Sequence, residues 1–105
     1  MMFTVATTQR FENDAAAIWS GAEIEALIFA LAMDPHQGDL IPGTGGLRKL
    51  RWARSGMGKR GGARLITYAI DNQGKVWLLT AYTKAALDNL SAATLVKLKK
   101  ELIDA

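Results

Sequence analysis

The sequence predicts an α+β fold, with an antiparallel sheet, two N-terminal helices and one C-terminal helix in the order β-α-α-β-β-β-α. Apolar residues recur at helical spacing twice before Pro35 and once after Leu90. The segments between them are rich in β-branched and aromatic residues and are separated by glycine-containing turns. With 105 residues, 50% of them hydrophobic, residues 1–105 are expected to form one compact domain.

A short strand is predicted over Phe3–Thr7, where polar and apolar residues alternate. A first helix is predicted over Gln9–Trp19, because Phe11, Ala15 and Ile18 recur at intervals of four and three. These two elements form the start of the chain.

The second helix has the clearest boundaries in the sequence. Ser20 and Glu23 have the spacing of a capping box, and Asp34 followed by Pro35 ends the helical pattern. Its predicted inward face consists of Ile24, Leu27, Ile28 and Leu31.

The remainder of the chain predicts a loop, three consecutive strands and a helix. A loop is expected over Asp39–Gly46, where Pro42 and three glycines disfavour regular structure. The expected strands are Leu47–Ala53, Arg64–Ile70 and Val76–Thr83, with an exposed loop over Met57–Gly62. The final helix is expected over Leu90–Ile103, with Ser91 as its N-cap and Leu95, Leu98 and Leu102 facing inward.

The last two strands predict a hairpin whose register can be counted. A three-residue loop, Asn72 to Gly74, with the glycine in the left-handed conformation would pair Asp71 with Lys75. The pairs that follow are Ile70 with Val76, Tyr68 with Leu78, Ile66 with Thr80 and Arg64 with Tyr82. Arg64, Tyr82 and Lys84 would then lie together at one end of one sheet surface, whereas a two-residue loop would break this opposition.

The positive charges are concentrated in one segment. Seven of the thirteen Lys and Arg residues lie between Arg48 and Arg64, and no acid occurs from Leu40 to Ile70. Such a one-signed, glycine-rich segment is typical of a surface that binds a polyanion, and Trp52 could stack on an unpaired base. The predicted RNA-binding residues are Arg48, Lys49, Arg51, Trp52, Arg54, Lys59 and Arg60.

Two other interpretations of the basic segment stay open. It could be a solvated surface that keeps the protein dissolved, although solubility favours interspersed charges of both signs. It could also be a docking surface for an acidic protein.

Arg64, Tyr82 and Lys84 suit metal-independent cleavage of RNA by its own 2'-hydroxyl. Arg64 could stabilise charge on the phosphorus, Lys84 could act as base or acid, and Tyr82 could stack on a base or supply a proton. Equally, Tyr82 could be an ordinary sheet aromatic and Lys84 an ordinary lysine at a strand end.

Several classes of function are disfavoured by the sequence. There are no cysteines and one histidine, His36, which is predicted to be solvated; thiol chemistry and a Ser/His/Asp triad are therefore excluded. The glycines around Lys59 do not complete a nucleotide-binding motif, and the acids are too scattered for a carboxylate metal centre, so no cofactor is expected. The absence of cysteine fits the cytoplasm, and neither a secretory signal nor a membrane span is expected.

The string IPGTGGLRKLRWARSGMGKRGGARLITYAI, followed by a hairpin and WLLTAYTK, resembles the HigB-like branch of the RelE superfamily of toxins from bacterial type II toxin–antitoxin systems. The resemblance spans essentially the whole chain and is most specific over Ile41–Arg64. It implies a RelE-like fold and an endoribonuclease, an mRNA interferase, that cleaves mRNA at the ribosome and so inhibits translation. It also implies a small DNA-binding antitoxin, through which alone the toxin would contact operator DNA.

The resemblance assigns Arg64, Tyr82 and Lys84 to the active site, and Lys49, Arg51 and Arg60 to contacts with RNA or the ribosome. One departure from the family follows Lys84. Many relatives carry Asn and Glu there, whereas this chain has Ala85 and Ala86. If the missing groups only position Lys84, activity would be weakened. If one of them transfers a proton, cleavage would be slower by roughly 10²- to 10⁴-fold, while binding to RNA or antitoxin could persist.

Overall fold

A computed structural model describes residues 2–54, 58–83 and 91–103, with the backbone alone for residues 54 and 58–61. These parts contain three helices and a five-stranded sheet. In chain order the elements are β1 (Thr4–Thr7), α1 (Gln9–Ile18), α2 (Gly21–Met33), β2 (Asp39–Leu40), β3 (Leu47–Arg54), β4 (Gly58–Tyr68), β5 (Lys75–Thr83) and α3 (Ala92–Leu102). The predicted α+β class and the order of the main elements are confirmed.

Each helix begins at a hydroxyl side chain that accepts a hydrogen bond from a backbone N–H of the first turn. The N-caps are Thr8, Ser20 and Ser91. At α2 the predicted capping box is complete: the Glu23 N–H donates to Ser20 Oγ at 3.1 Å, and the Ser20 N–H donates to Glu23 Oε1 at 3.0 Å. The predicted helix starts after Ser20 and Ser91 are therefore confirmed.

The strands lie in the order β1-β5-β4-β3-β2. The predicted antiparallel meander of β3, β4 and β5 is confirmed, but β1 pairs with β5 in parallel, so the sheet is mixed. Strand direction between such distant segments depends on how α1 and α2 return the chain across the sheet, which residue periodicity does not encode.

Two segments predicted as loop belong to the sheet. Asp39–Leu40 pairs with β3 at its edge, and β4 begins at Gly58, inside the predicted loop Met57–Gly62. Glycines weaken a strand locally, so the sequence argues against strand at Gly58. The structure pairs Gly58 with Arg54, and this backbone pairing outweighs the low propensity.

The sheet has a helical layer on each face. Helices α1 and α2 cover one face, where the buried cluster is Phe11, Ala15, Trp19, Leu27, Leu31, Ala63, Leu65, Leu78 and Ala81. Helix α3 packs on the other face, where the buried cluster is Leu47, Ile66, Leu79, Tyr82, Leu95 and Leu98. Within the described ranges, none of the helices is both long enough and apolar enough to cross a membrane.

The predicted hairpin turn is confirmed. The Asp71 N–H donates to the Lys75 carbonyl at 2.9 Å, the Gly74 N–H donates to the Asp71 carbonyl at 3.0 Å, and Gly74 has φ +78°. Farther along, the predicted pair of Arg64 with Tyr82 is also confirmed, together with that of Ile66 with Thr80.

The middle of the hairpin was predicted wrongly. Tyr68 lies opposite Trp77 instead of Leu78, and Ile70 lies beyond the end of β4 with φ +53°. One extra residue between Tyr68 and Asp71 shifts the register, and an extra Leu79 on β5 shifts it back. The two shifts cancel before Arg64.

Candidate nucleic-acid interface

Three side chains form a row across the sheet. Arg51 on β3 lies opposite Arg64 on β4, and Arg64 lies opposite Tyr82 on β5. Because alternate residues of a strand share a face, Arg51 lies on the face of Leu47 and Arg64 on the face of Ile66. Both of those residues pack under α3 with Tyr82, so the whole row lies on the α3 side of the sheet.

Exposure changes along this row. Arg51 is exposed and Arg64 is half-buried, whereas Tyr82 is only 7% exposed and belongs to the buried cluster. The arginines can therefore reach a ligand on the surface. Tyr82 is held by packing, and it can support the position of Arg64 through the cross-strand pairing.

A cavity of about 370 Å³ lies at this end of β3 and β4. It is lined by Arg51, Trp52, Ala53, Gly62, Ala63 and Arg64. Two guanidinium groups beside a concave surface offer forked donors for phosphate oxygens.

Two further cations lie on the α3 side. Lys49 is exposed and comes two residues before Arg51 on β3, opposite Ile66. From α3, the Lys99 ammonium lies over the Tyr68 ring, 4.4 Å from its centroid. Sequence analysis did not connect Lys99 with this surface, because nothing in the spacing of the α3 lysines indicates which strand residue they meet.

No described carboxylate lies within ion-pair distance of the Arg51 or Arg64 guanidinium. Among the described residues, an ion pair is formed elsewhere, between Arg10 and Asp14 at 3.8 Å. Since residues 40–70 contain no acid at all, the cationic charge of the row is uncompensated along its own strands. Over separations of a few ångströms, salt screens such charges incompletely.

Two predicted RNA-binding residues lie on the opposite face. The Arg48 guanidinium donates to the carbonyls of His36 and Gly38, at 3.0 Å each, and so fixes the connection that precedes β3. The Trp52 side chain packs partly against the cluster beneath α1 and α2. The structure therefore separates Arg48 from Arg51 and Arg64, whereas Trp52 lines the same cavity as these two arginines although its side chain lies on the other face.

Four predicted site residues cannot be placed by their side chains. Lys84 lies outside the described residues, as do Ala85 and Ala86. The side chains of Arg54, Lys59 and Arg60 lie outside them too.

His36 is exposed, as predicted. Over residues 2–54, 58–83 and 91–103, no three His, Asp or Glu side chains are grouped closely enough to hold a metal ion.

Asp71 fixes the hairpin that carries Arg64 and Tyr82. The pKa of its carboxyl group is lowered chiefly by the hydrogen bond from the Lys75 backbone N–H and next by the bond from the Trp77 indole. The Gln73 N–H and the positive charge of Lys75 lower this pKa to a smaller extent. The Lys75 and Gln73 bonds to Oδ1 are 3.0 and 2.8 Å long, and the Trp77 bond to Oδ2 is 2.8 Å long. The ionised carboxylate thereby ties the turn to the first residues of β5.

The described parts of the chain define an α+β domain with a cationic row on one sheet face. No protein-family model matches the sequence. Among solved structures, the chain is similar to a mutant of the E. coli toxin RelE in the free state, in which two arginines are replaced by alanine; the TM-score is 0.62 at 15% identity, covering 84% of this chain and 90% of that chain. An identity this low shows the fold alone, and the expected RelE-like fold is confirmed.

Proposed function

We propose that this chain is the toxin of a bacterial type II toxin–antitoxin system, from the HigB-like branch of the RelE superfamily. In this proposal it is a one-domain, cytoplasmic endoribonuclease that cleaves ribosome-bound mRNA without a metal and so inhibits translation. The observation that carries the proposal is the row of Arg51, Arg64 and Tyr82 beside an open cavity. The fold shared with the toxin RelE supports it.

The proposed reaction is an attack by the 2'-hydroxyl on the adjacent phosphorus. The P–O5' bond breaks, a base takes the 2' proton, and an acid protonates the leaving 5' oxygen. Arg64 and Arg51 would grip the non-bridging oxygens and stabilise the extra negative charge of the transition state. Lys84 is the proposed acid or base, and the buried Tyr82 would hold the row in place or supply a proton at its hydroxyl end.

The partners proposed for such a toxin are mRNA, the ribosome and a cognate antitoxin. The antitoxin is proposed to be a small helix-turn-helix protein encoded by an adjacent gene. This chain would contact operator DNA only through the antitoxin. Exposed Lys49 and Arg51 are the proposed first contacts with RNA, since phosphate binding depends on accessible cations.

The test is to induce the wild type, Arg64→Ala, Arg64→Lys and the control Lys97→Ala in bacteria and to map RNA ends. Lys97 is exposed on α3, so its loss matches the change in charge. We expect wild type and Lys97→Ala to arrest growth and produce new RNA ends. Arg64→Ala should cleave roughly 10²- to 10³-fold more slowly, and Arg64→Lys should recover only part of the rate. Normal growth and no new ends with the wild type would refute the proposal.

A second candidate function is a noncatalytic module that binds RNA or the antitoxin. The 7% exposure of Tyr82 favours it, because a side chain buried to this extent offers little surface to RNA. Ala85 and Ala86 favour it too, since they replace polar groups common in relatives. This candidate predicts RNA binding that Arg64→Ala weakens, with no cleavage by either protein on isolated or ribosome-bound mRNA.

A further inference from the structure

Helix α2 presents an apolar surface to solvent. Its exposed positions are Gly21, Ala22, Glu25, Ala26, Phe29 and Met33. Phe29 is 58% exposed and Met33 is 51% exposed, although the opposite face of α2 already buries Leu27 and Leu31 in the core. A helix that is apolar on both faces normally has a second partner.

The other two helices have ordinary polar outer faces. The exposed residues of α1 are Gln9, Arg10, Glu12, Asn13, Ala16 and Ala17. The exposed residues of α3 are Ala93, Thr94, Val96, Lys97, Lys100 and Glu101. Val96 on α3 is 38% exposed, but among the described helices only α2 carries large apolar side chains that are more than half exposed, Phe29 and Met33.

The segment that contains α2 is acidic, although Arg10 is exposed on α1 and Arg48 contacts the connection after α2. Residues 11–47 contain six acids and no Lys or Arg. Glu25 lies on the exposed face itself, Asp34 is exposed at its C-terminal end, and Glu12 is exposed on the neighbouring α1. This acidic, apolar surface lies across the sheet from the cationic row, so it repels the polyanion that the row would attract.

We propose that the outer face of α2, formed by Ala22, Glu25, Ala26, Phe29 and Met33, docks an amphipathic helix whose apolar stripe is bordered by Lys or Arg. Phe29 and Met33 supply the apolar anchors, and Glu25 and Asp34 pair with the basic border. A second copy of this chain fits less well, because the α2 segment of that copy would offer no Lys or Arg to pair with Glu25. The inference does not depend on the proposed RNA chemistry, which lies on the other face.

The probe is a synthetic helix about as long as the 13 residues of α2, fixed by a side-chain crosslink because isolated helices of this length are marginal. One version carries a Leu and Ala stripe bordered by Lys, and its twin carries Glu in place of every Lys. Fluorescence anisotropy measures the binding of each to the whole chain. We expect the Lys version to bind more tightly than its twin.

The double variant Phe29→Ser with Met33→Ser should weaken binding of the Lys version by about tenfold or more. Glu25→Gln should weaken it less and make it less sensitive to salt. Leu40→Ser is the matched control, because Leu40 is 59% exposed on β2 at the edge of the sheet. It should leave binding unchanged, and so should Arg64→Ala.

Equal binding of the Lys version to wild type and the double variant would overturn the inference, as would equal binding of the two peptides. A dimer that the double variant abolishes, seen by sedimentation, would overturn it in favour of self-association. Because Phe29 and Met33 are exposed, the double variant should fold, and its thermal unfolding followed by circular dichroism verifies this. If Arg64→Ala abolishes RNA cleavage while peptide binding persists, the two surfaces act separately.

Discussion

Arg51 and Arg64 lie directly opposite each other on neighbouring antiparallel strands, with no described carboxylate between them. Directly opposite side chains have Cβ atoms about 5 Å apart, and like-charged residues in such opposed positions destabilise a sheet. The pair therefore opposes folding in the free protein. A bound phosphate between the two guanidinium groups would convert this repulsion into binding energy.

Arg51→Gln should separate these two effects. We expect the free energy of unfolding to rise by ~0.2–1 kcal/mol, because the repulsion with Arg64 is lost. We also expect single-stranded RNA to bind more weakly, with a log–log salt slope smaller by about 0.7 for each lost phosphate contact. Urea unfolding and RNA titrations at several salt concentrations measure both quantities. Lys97→Gln is the control, and a loss of stability with unchanged RNA affinity would contradict the prediction.

Thr67→Val should stabilise the protein. Thr67 is fully buried on β4, and its hydroxyl is the one buried side-chain polar atom of the described residues that has no hydrogen-bond partner. Replacing it with a methyl group of similar shape removes an uncompensated desolvation cost of about 1 kcal/mol.

Thr80→Val is the matched control for Thr67→Val. Thr80 is 2% exposed, but its hydroxyl donates to Asp14 Oδ2 at 2.7 Å and accepts from Arg10 Nε at 3.3 Å. This substitution should destabilise the protein by roughly 1–3 kcal/mol, since it leaves partners unsatisfied. Chemical denaturation of both variants tests the contrast, and the same sign for both would refute it.

Asp71→Asn should weaken the hairpin at neutral pH and have little effect in acid. Both carboxylate oxygens of Asp71 accept hydrogen bonds, whereas the amide nitrogen of Asn cannot accept one. The variant therefore loses either the bond from Trp77 or the two bonds from Gln73 and Lys75. Since the pKa of Asp71 is lowered in the folded state, its stabilisation is present above the ordinary aspartate pKa of about 3.9 and is lost as the pH falls through the lower, folded value. Urea midpoints of both proteins across this range check the sign, and a difference that grows in acid would exclude the mechanism.

Gly38→Ala should destabilise the protein more than Gly74→Ala does. Both glycines have positive φ, +90° and +78°. A Cβ at position 38 would lie 2.7 Å from the Lys49 carbonyl oxygen, whereas a Cβ at position 74 would meet nothing within 4 Å. Gly74→Ala should lower the free energy of unfolding by about 1–2 kcal/mol, because alanine disfavours positive φ. Gly38→Ala should lower it further, because the Lys49 backbone must also move to accommodate the added Cβ. Equal losses in urea unfolding would show that the close approach carries no cost.

Local signals predicted local structure well. The Ser20 and Glu23 pair predicted the start of α2, and Ser91 predicted that of α3, because a cap depends on residues within one turn. The parallel pairing of β1 with β5 was missed, because the two strands are some seventy residues apart in the sequence. The hydrogen bond from Thr8 to Leu79, for example, joins residues 71 positions apart. Propensity likewise failed at Gly58, where pairing with Arg54 decides the structure.

The candidate site was predicted in part. The pairing of Arg64 with Tyr82 was predicted by counting residues from the turn. It is correct only because the extra residue near Ile70 is on β4 and the extra Leu79 is on β5, so the two register shifts cancel. The shift near Ile70 could not be foreseen, since a β-branched residue rarely adopts positive φ. No local signal in the sequence marks the shift at Leu79. The position of Arg48 and Trp52 on the α1 and α2 side of the sheet was missed, because a basic segment does not reveal which of its alternating side chains lie on which face.

The two compensating shifts constrain how this hairpin can change in length during evolution. Deletion of Leu79 alone would shift the register so that Tyr82 no longer lies opposite Arg64. The residues of β5 beyond the deletion would also point to the other face of the sheet, because side-chain direction alternates at every residue. Deletion of one residue near Ile70 would have the same consequence, whereas losing both would restore the alignment. Among proteins that keep this arginine and tyrosine opposed, we expect insertions and deletions in the hairpin to occur in pairs, one on each strand.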